Sequence, residues 1–239
     1  REVAGLLLSQ RVPVLMEKPP GASSRETEEL LGIAEDAGTP HQVAFNRRYA
    51  PLIRRMRELA VEDAGPVATS CQFFRHGRRE PHFPFGTGLH GLDTLRYLGP
   101  AEVRAVHTRP GPRGSALITY EYADGALGVM EMLPRVGVQS ERYTVHSARR
   151  TVVVDGVVGW LTAHPGFLEC YECGRLTMRV ENDPETPPEV LSGFCGEARA
   201  FVDALRSGGP PAPDLREALR SVQIAEAVQQ GRSVEFPDG

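Results

Sequence analysis

The sequence predicts two joined units: an α/β segment over residues 1–64, then an α+β unit over residues 65–239 with a large, mostly antiparallel open sheet flanked by helices. Two observations carry this expectation. Before Gly65, short apolar runs alternate with helical patterns, the arrangement of a parallel sheet with crossover helices. After it, six strand-like runs follow one another across turn-rich separators with one helix among them, the pattern of an antiparallel sheet.

The elements follow in order. Val12 to Met16 is apolar and partly β-branched, and Pro19-Pro20 ends its capacity for ladder pairing, so it reads as a buried strand running into a loop. Ser23 or Ser24 caps a helix with acidic residues in its first turn, and Gly38 stops it. His41 to Phe45 is a second strand, and a helix from about Pro51 to Ala60 follows Asn46-Arg47-Arg48-Tyr49. Ligands of parallel α/β sheets gather at the carboxyl ends of strands, where Lys18 and Arg47 lie. The later strands are Val67 to Phe74, Val103 to Thr108, Ala116 to Tyr122, Ala126 to Leu133, Arg142 to His146 and Thr151 to Val154. A helix near Leu89 to Leu98 interrupts them, and helices Gly196 to Ser207 and Asp214 to Gln230 close the chain around a Gly-Pro break.

Composition bounds the function. With 41% hydrophobic and 24% charged residues, the chain is globular, and a net charge of −4 offers no general attraction to nucleic acid or anionic membrane. No apolar run approaches the ~18 residues of a membrane span, no signal peptide is visible, and the expected location is the cytoplasm. Cys71, Cys170, Cys173 and Cys195 are too scattered for a disulfide framework and are expected as free thiols; Cys170-x-x-Cys173 lacks the second pair of a zinc site, so no metal is expected.

The base count is more specific. Lys and Arg together number 27, and a single one, Lys18, is lysine. Guanidinium keeps its proton in proteins whereas a desolvated ammonium can release it, so a solitary lysine is a candidate proton carrier. A chance survivor of an arginine-biased composition reads equally well at this level.

Gly86-Thr87-Gly88-Leu89-His90-Gly91 has the spacing of a dinucleotide fingerprint, but a proline-containing segment rather than a strand precedes it, so it is expected to be a flexible helix entry instead of a phosphate cradle. His90 and Asp93 share one helix face, as a proton-transfer pair or as a packing pair. Arg75 to Arg79 reads as a solvated edge, and no G-x-S-x-G elbow points to hydrolysis.

The string Val14-Leu15-Met16-Glu17-Lys18-Pro19, the segment Val43 to Pro51, the helix Leu89 to Leu98 with its H-x-x-D spacing, and the closing Gly193-Phe194, Glu197 and Gly-Pro break together resemble the Gfo/Idh/MocA family of nicotinamide-dependent oxidoreductases. The resemblance spans nearly the whole chain. It implies that residues 1–64 are the C-terminal half of a Rossmann dinucleotide-binding domain, without the first half and its pyrophosphate turn, and that residues 65–239 bind substrate and dimerise. It implies hydride exchange between NAD or NADP and a sugar, polyol or related carbonyl or alcohol. Lys18 becomes the proton-transferring residue and His90 its catalytic partner; Glu17, Lys18 and Pro19 shape the nicotinamide loop; Arg47 and His90 face the substrate. Many members carry an aspartate four residues before the histidine, where this chain has Gly86. Residues 1–239 alone are therefore expected to bind NAD(P) weakly or not at all, with strand Val12 to Met16 left as an open edge. The open sheet face, with Leu117, Leu127, Val129 and Met132, is the expected surface of a homodimer or homotetramer, the alternative being that these side chains form core. A non-catalytic ligand-binding or dimerisation scaffold is the alternative, and Schiff-base chemistry at Lys18 a third reading.

Overall fold

A computed structural model describes residues 2–158 and 165–236. The chain opens with helix α1 (Glu2–Ser9), whose Leu8 is fully buried. Its apolar run Ala4 to Leu8 packs against the next helix.

Strand β1 (Val14–Glu17), helix α2 (Ser24–Ala37), strand β2 (His41–Ala44), a single 3-10 turn (Asn46–Tyr49) and helix α3 (Pro51–Glu62) complete the first part. β1 and β2 are parallel, in register from Val14 opposite His41 to Glu17 opposite Ala44. The Ser23 hydroxyl accepts the Glu26 N–H at 3.2 Å, and Gly38 ends α2 in the left-handed conformation (φ 64°) that glycine adopts at little cost.

The second sheet contains β3 (Pro66–Phe74), β4 (Val103–Pro110), β5 (Ala116–Tyr122), β6 (Leu127–Leu133), β7 (Ser140–Ser147), β8 (Arg150–Asp155), β9 (Phe167–Glu172), β10 (Arg175–Glu181) and β11 (Val234–Glu235). Their order is β10-β9-β8-β7-β3-β6-β5-β4-β11. All neighbours are antiparallel except β3 and β6, which run parallel. β9 and β10 are absent from the sequence expectation, although β10 alternates Leu176, Met178 and Val180 with polar residues; most of it is exposed. Helix α4 (Leu89–Leu98) crosses one face of the sheet; α5 (Pro188–Leu191), α6 (Phe194–Ser207) and α7 (Leu215–Gln229) follow β10.

One face of the sheet forms the core, with Ile118, Tyr120, Tyr122, Met130, Tyr143, Val145, Val152 and Val154 all buried. Leu117, Leu127 and Val129 occupy the opposite, exposed face. Met132 does not join them. It is fully buried, because the two-residue alternation of β6 puts it on the same side as Met130.

The final helices return to the first part. α7 packs on α2 and α4, and the Val43 N–H donates to the Pro213 carbonyl at 2.8 Å. Burial is continuous from Leu30 and Val43 through Leu92 to Val222 and Ile224, so one core runs beneath both sheets.

Candidate active site

β1 delivers Lys18 just beyond its last residue, and the side chain is half buried. Its Nζ donates to the main-chain carbonyl of Gly86 at 2.6 Å. Gly86 lies in a π-helical turn (Pro84–Gly88) that opens the helix leading into α4. Pro84 lacks an N–H, and such turns redirect carbonyls that a regular α-helix would keep in its own ladder. Desolvation lowers the Lys18 pKa from 10.5 to about 8, and the Arg47 and Arg78 charges push the same way; Glu17 and Glu141 oppose them.

His90, in the first turn of α4, has its Nδ1 buried without a hydrogen-bond partner among the described residues. Burial holds its pKa well below the usual histidine value, and the positive charges of Arg47, Lys18 and Arg75 add to this. The imidazole is therefore neutral near pH 7, able to relay a hydrogen bond but not to carry charge.

The His90–Asp93 pairing suggested by spacing does not form. Asp93 instead accepts Arg48 Nε and Nη2, both at 2.8 Å, and Ser221 Oγ at 2.7 Å. Arg48 also donates to Glu217 Oε2 at 2.6 Å. Asp93 thus ties the turn after β2 to α4 and α7 and leaves His90 free.

Arg47 sits beside Lys18, but it is not an open substrate arm. Its Nε and Nη2 reach Glu141 Oε1 and Oε2 at 3.0 and 3.3 Å, and the residue is buried. Arg75 Nη2 meets the same Glu141 at 2.5 Å and Tyr143 OH donates to it at 2.9 Å. The two guanidiniums hold the Glu141 carboxyl down at about 2 against the effect of burial. The expectation that Arg75 belongs to a solvated edge is therefore wrong: a carboxylate 66 positions away in strand β7 draws it inside, where it also stacks on the Phe73 ring at 3.8 Å. Glu17 is exposed at the end of β1, and Pro19, linked to Lys18 by a cis peptide bond, is half buried.

The sequence reading missed Glu141 and gave Glu197 no chemical role. Glu197, in the first turn of α6, is 3% exposed, and its Oε1 has no partner among the described residues. Desolvation, with Glu17 nearby, raises its pKa to about 8, so it is protonated at neutral pH. A Glu at a helix start reads as an ordinary end charge in sequence; the close approach of α6 to the Asn46–Tyr49 turn, which carries Arg47, buries it.

The glycines after Gly86 serve packing. A Cβ on Gly91 would lie 2.6 Å from Met130 Cε and from Phe73 Cδ2, and one on Gly88 would lie 2.8 Å from Met132 Cε. They let α4 settle on the sheet. Cys71, Cys170, Cys173 and Cys195 are free thiols, and no cluster of metal-ligating side chains occurs among the described residues.

No protein-family model matches the sequence. The chain is 26% identical over 247 residues to D-xylose 1-dehydrogenase (NADP(+)) 2 of Haloferax volcanii, covering 93% of this chain and 73% of that protein. A dehydrogenase from Chromobacterium violaceum superposes with a TM-score of 0.84 at 19% identity, over 97% of this chain and 72% of that one. The chain has the fold of these dehydrogenases. An oxidoreductase from Agrobacterium radiobacter, solved in complex with NAD+, L-tartaric acid and magnesium, superposes with a TM-score of 0.78 at 18% identity, over 98% of this chain and 76% of that one. No helix among the described residues is long and apolar enough to cross a membrane.

Proposed function

We propose that the chain carries the acid–base and substrate-binding machinery of a nicotinamide-dependent oxidoreductase acting on a sugar, polyol or related small molecule. The single observation that carries this reading is the placement of its only lysine: half buried at the carboxyl end of a parallel strand, aimed by the Gly86 carbonyl, with a pKa of about 8 beside a neutral, buried imidazole. Strand ends of this kind are where α/β sheets hold ligands.

The residues fit the nicotinamide side of a cofactor site. His90 Nδ1 is an orphaned buried polar atom next to Lys18, and Glu17, Lys18 and Pro19 form the loop below it. The described residues include no glycine-rich turn between a strand and a helix to hold a pyrophosphate, so residues 1–64 supply the later half of a Rossmann arrangement in this reading. A nicotinamide bound there supplies the two-electron hydride acceptor or donor.

In the oxidising direction, the neutral Lys18 amine accepts the substrate hydroxyl proton while the carbinol C–H bond gives up its hydride, leaving a carbonyl. In the reducing direction the ammonium returns that proton. A pKa of about 8 keeps both forms populated near neutrality. His90 hydrogen-bonds the reacting oxygen without adding charge, and Arg47, fixed by Glu141, acts through its field. The exposed face with Leu117, Leu127 and Val129 supports self-association into a homodimer or homotetramer in the same reading.

Lys18→Arg tests the proposal, since it keeps a charge but cannot release a proton. Nicotinamide-linked turnover of a polyol panel, followed by absorbance, is expected to fall at least ~100-fold. Retained turnover removes Lys18 from the chemistry; because residues 1–239 alone are expected to bind NAD(P) weakly, the measurement is made on a chain that includes a pyrophosphate-binding half.

A further inference from the structure

The carbonyl that receives Lys18 Nζ belongs to the least restrained kind of residue. Gly86 has no Cβ, and one placed there would meet nothing within 4 Å, so neither a side chain nor packing fixes its peptide planes. Its N–H donates to the His82 carbonyl at 2.8 Å, which settles one side. The carbonyl itself lies in the planar peptide group shared with Thr87, so whatever holds Thr87 also aims it.

Thr87 is held by a closed ring of bonds to charged groups. Its hydroxyl donates to Glu80 Oε1 at 3.1 Å and accepts from Arg78 Nη2 at 2.9 Å. Arg78 and Glu80 complete the ring, Nη2 to Oε1 at 2.6 Å and Nε to Oε2 at 3.1 Å. The hydroxyl is thus used both as donor and as acceptor, each time with an ionised partner, which makes stronger bonds than neutral pairs do. The ring is anchored to the segment just past β6: the Arg78 N–H donates to the Pro134 carbonyl at 3.0 Å, and the Arg78 carbonyl accepts Arg135 Nε at 2.9 Å. Arg78 and Glu80 are partly exposed, and an ion pair in that setting contributes little stability by itself. What the ring supplies is geometry.

We infer that Thr87 is a positioning residue for the Lys18 amine: with Arg78 and Glu80 it locks the Gly86–Thr87 peptide so that its carbonyl faces Nζ. This rests on the reading of Lys18 as the acid–base group. The Thr87 hydroxyl spends its bonds on Glu80 and Arg78, so it acts on the amine only through the carbonyl before it.

Because Lys18 is the only lysine, protein grown with isotope-labelled lysine gives a single side-chain ammonium resonance in NMR, and exchange of its protons with water tests the inference. The measurement is made well below the amine's pKa of about 8, where the ammonium is present. Thr87→Val keeps the side-chain shape and removes the hydroxyl; it is expected to speed this exchange about fivefold or more, as loss of a held hydrogen bond does. Amide exchange at Leu92 and Leu95 in α4 should stay as in the wild type. Thr87→Ser restores the hydroxyl and should return the rate to within about twofold of the wild type. Glu80→Ala removes the acceptor from outside the turn, should act in the same direction, and decides the matter if Thr87→Val does not fold. An unchanged rate in the folded variants overturns the inference. So does an acceleration that Thr87→Ser fails to reverse, or one shared by the α4 amides, since either reports packing instead of aim. Proton exchange reads no turnover, so the result is independent of whether the oxidoreductase reading holds.

Discussion

Lys18 Nζ is held by the carbonyl of Gly86, 68 positions along the chain, through a 2.6 Å hydrogen bond. A neutral carbonyl orients the amine without stabilising its charge as a carboxylate would, so desolvation and Arg47 keep control of its pKa. Gly86, where the resemblance implies an aspartate, meets Lys18 here through its main-chain carbonyl.

Because the chain contains one lysine, its side-chain titration is directly observable. Acylation of Lys18, followed by peptide mass spectrometry across pH, is expected to rise with a midpoint of about 8 in the folded protein and near 10.5 after denaturation. The sign follows from the lowered folded value: reactivity requires the neutral amine, which burial favours. Oxidative turnover should rise through the same pH, and reductive turnover should fall. A folded midpoint near 10.5 would contradict the site geometry.

Gly86→Asp should be tolerated, since a Cβ at this position meets nothing within 4 Å. The new carboxylate would stabilise the ammonium and move the labelling midpoint of Lys18 upward, by about one unit or more. An unmoved midpoint would show that the two side chains do not approach one another.

Glu141→Gln removes the charge shared by Arg47 and Arg75 and leaves two guanidiniums in a buried setting. Breaking such a pair costs about 3–5 kcal/mol, read as a lower urea midpoint at an unchanged slope. The Lys18 midpoint should fall below its wild-type value, because the Glu141 charge raises it.

Gly193→Ala should be among the most damaging small substitutions. Gly193 has φ 92°, and a Cβ there would lie 2.0 Å from the Asn46 carbonyl oxygen and 2.6 Å from the Ala50 nitrogen. Backbone meets backbone, so no rotamer relieves the clash; a loss of about 3 kcal/mol or more is expected by thermal melting.

Much of this molecule was readable in one dimension. The alternation up to Gly65, the helix over Leu89 to Leu98 and the Ser23 and Gly38 caps are local signals, and the structure has each of them. Lys18 stood out by counting. What stayed hidden arises from contacts between distant segments. Glu141 and Glu197 look like ordinary surface acids until strand β7 and helix α6 are packed against the turn holding Arg47. Asp93 was paired by spacing with His90, yet Arg48 and Ser221 claim it, because a guanidinium brought in from another segment supplies stronger, charge-assisted bonds.

The sequence by itself determined most of the strands and helices, α1, β9 and β10 excepted, and that proton transfer from a side-chain amine can occur at only one position. Tertiary structure alone decided what surrounds that amine: a π-turn carbonyl, a neutral imidazole and an arginine clamped by a buried carboxylate. The physical reason is that propensity, capping and periodicity are properties of neighbouring residues, whereas desolvation and Coulomb interactions depend on distances that exist only once the chain has folded.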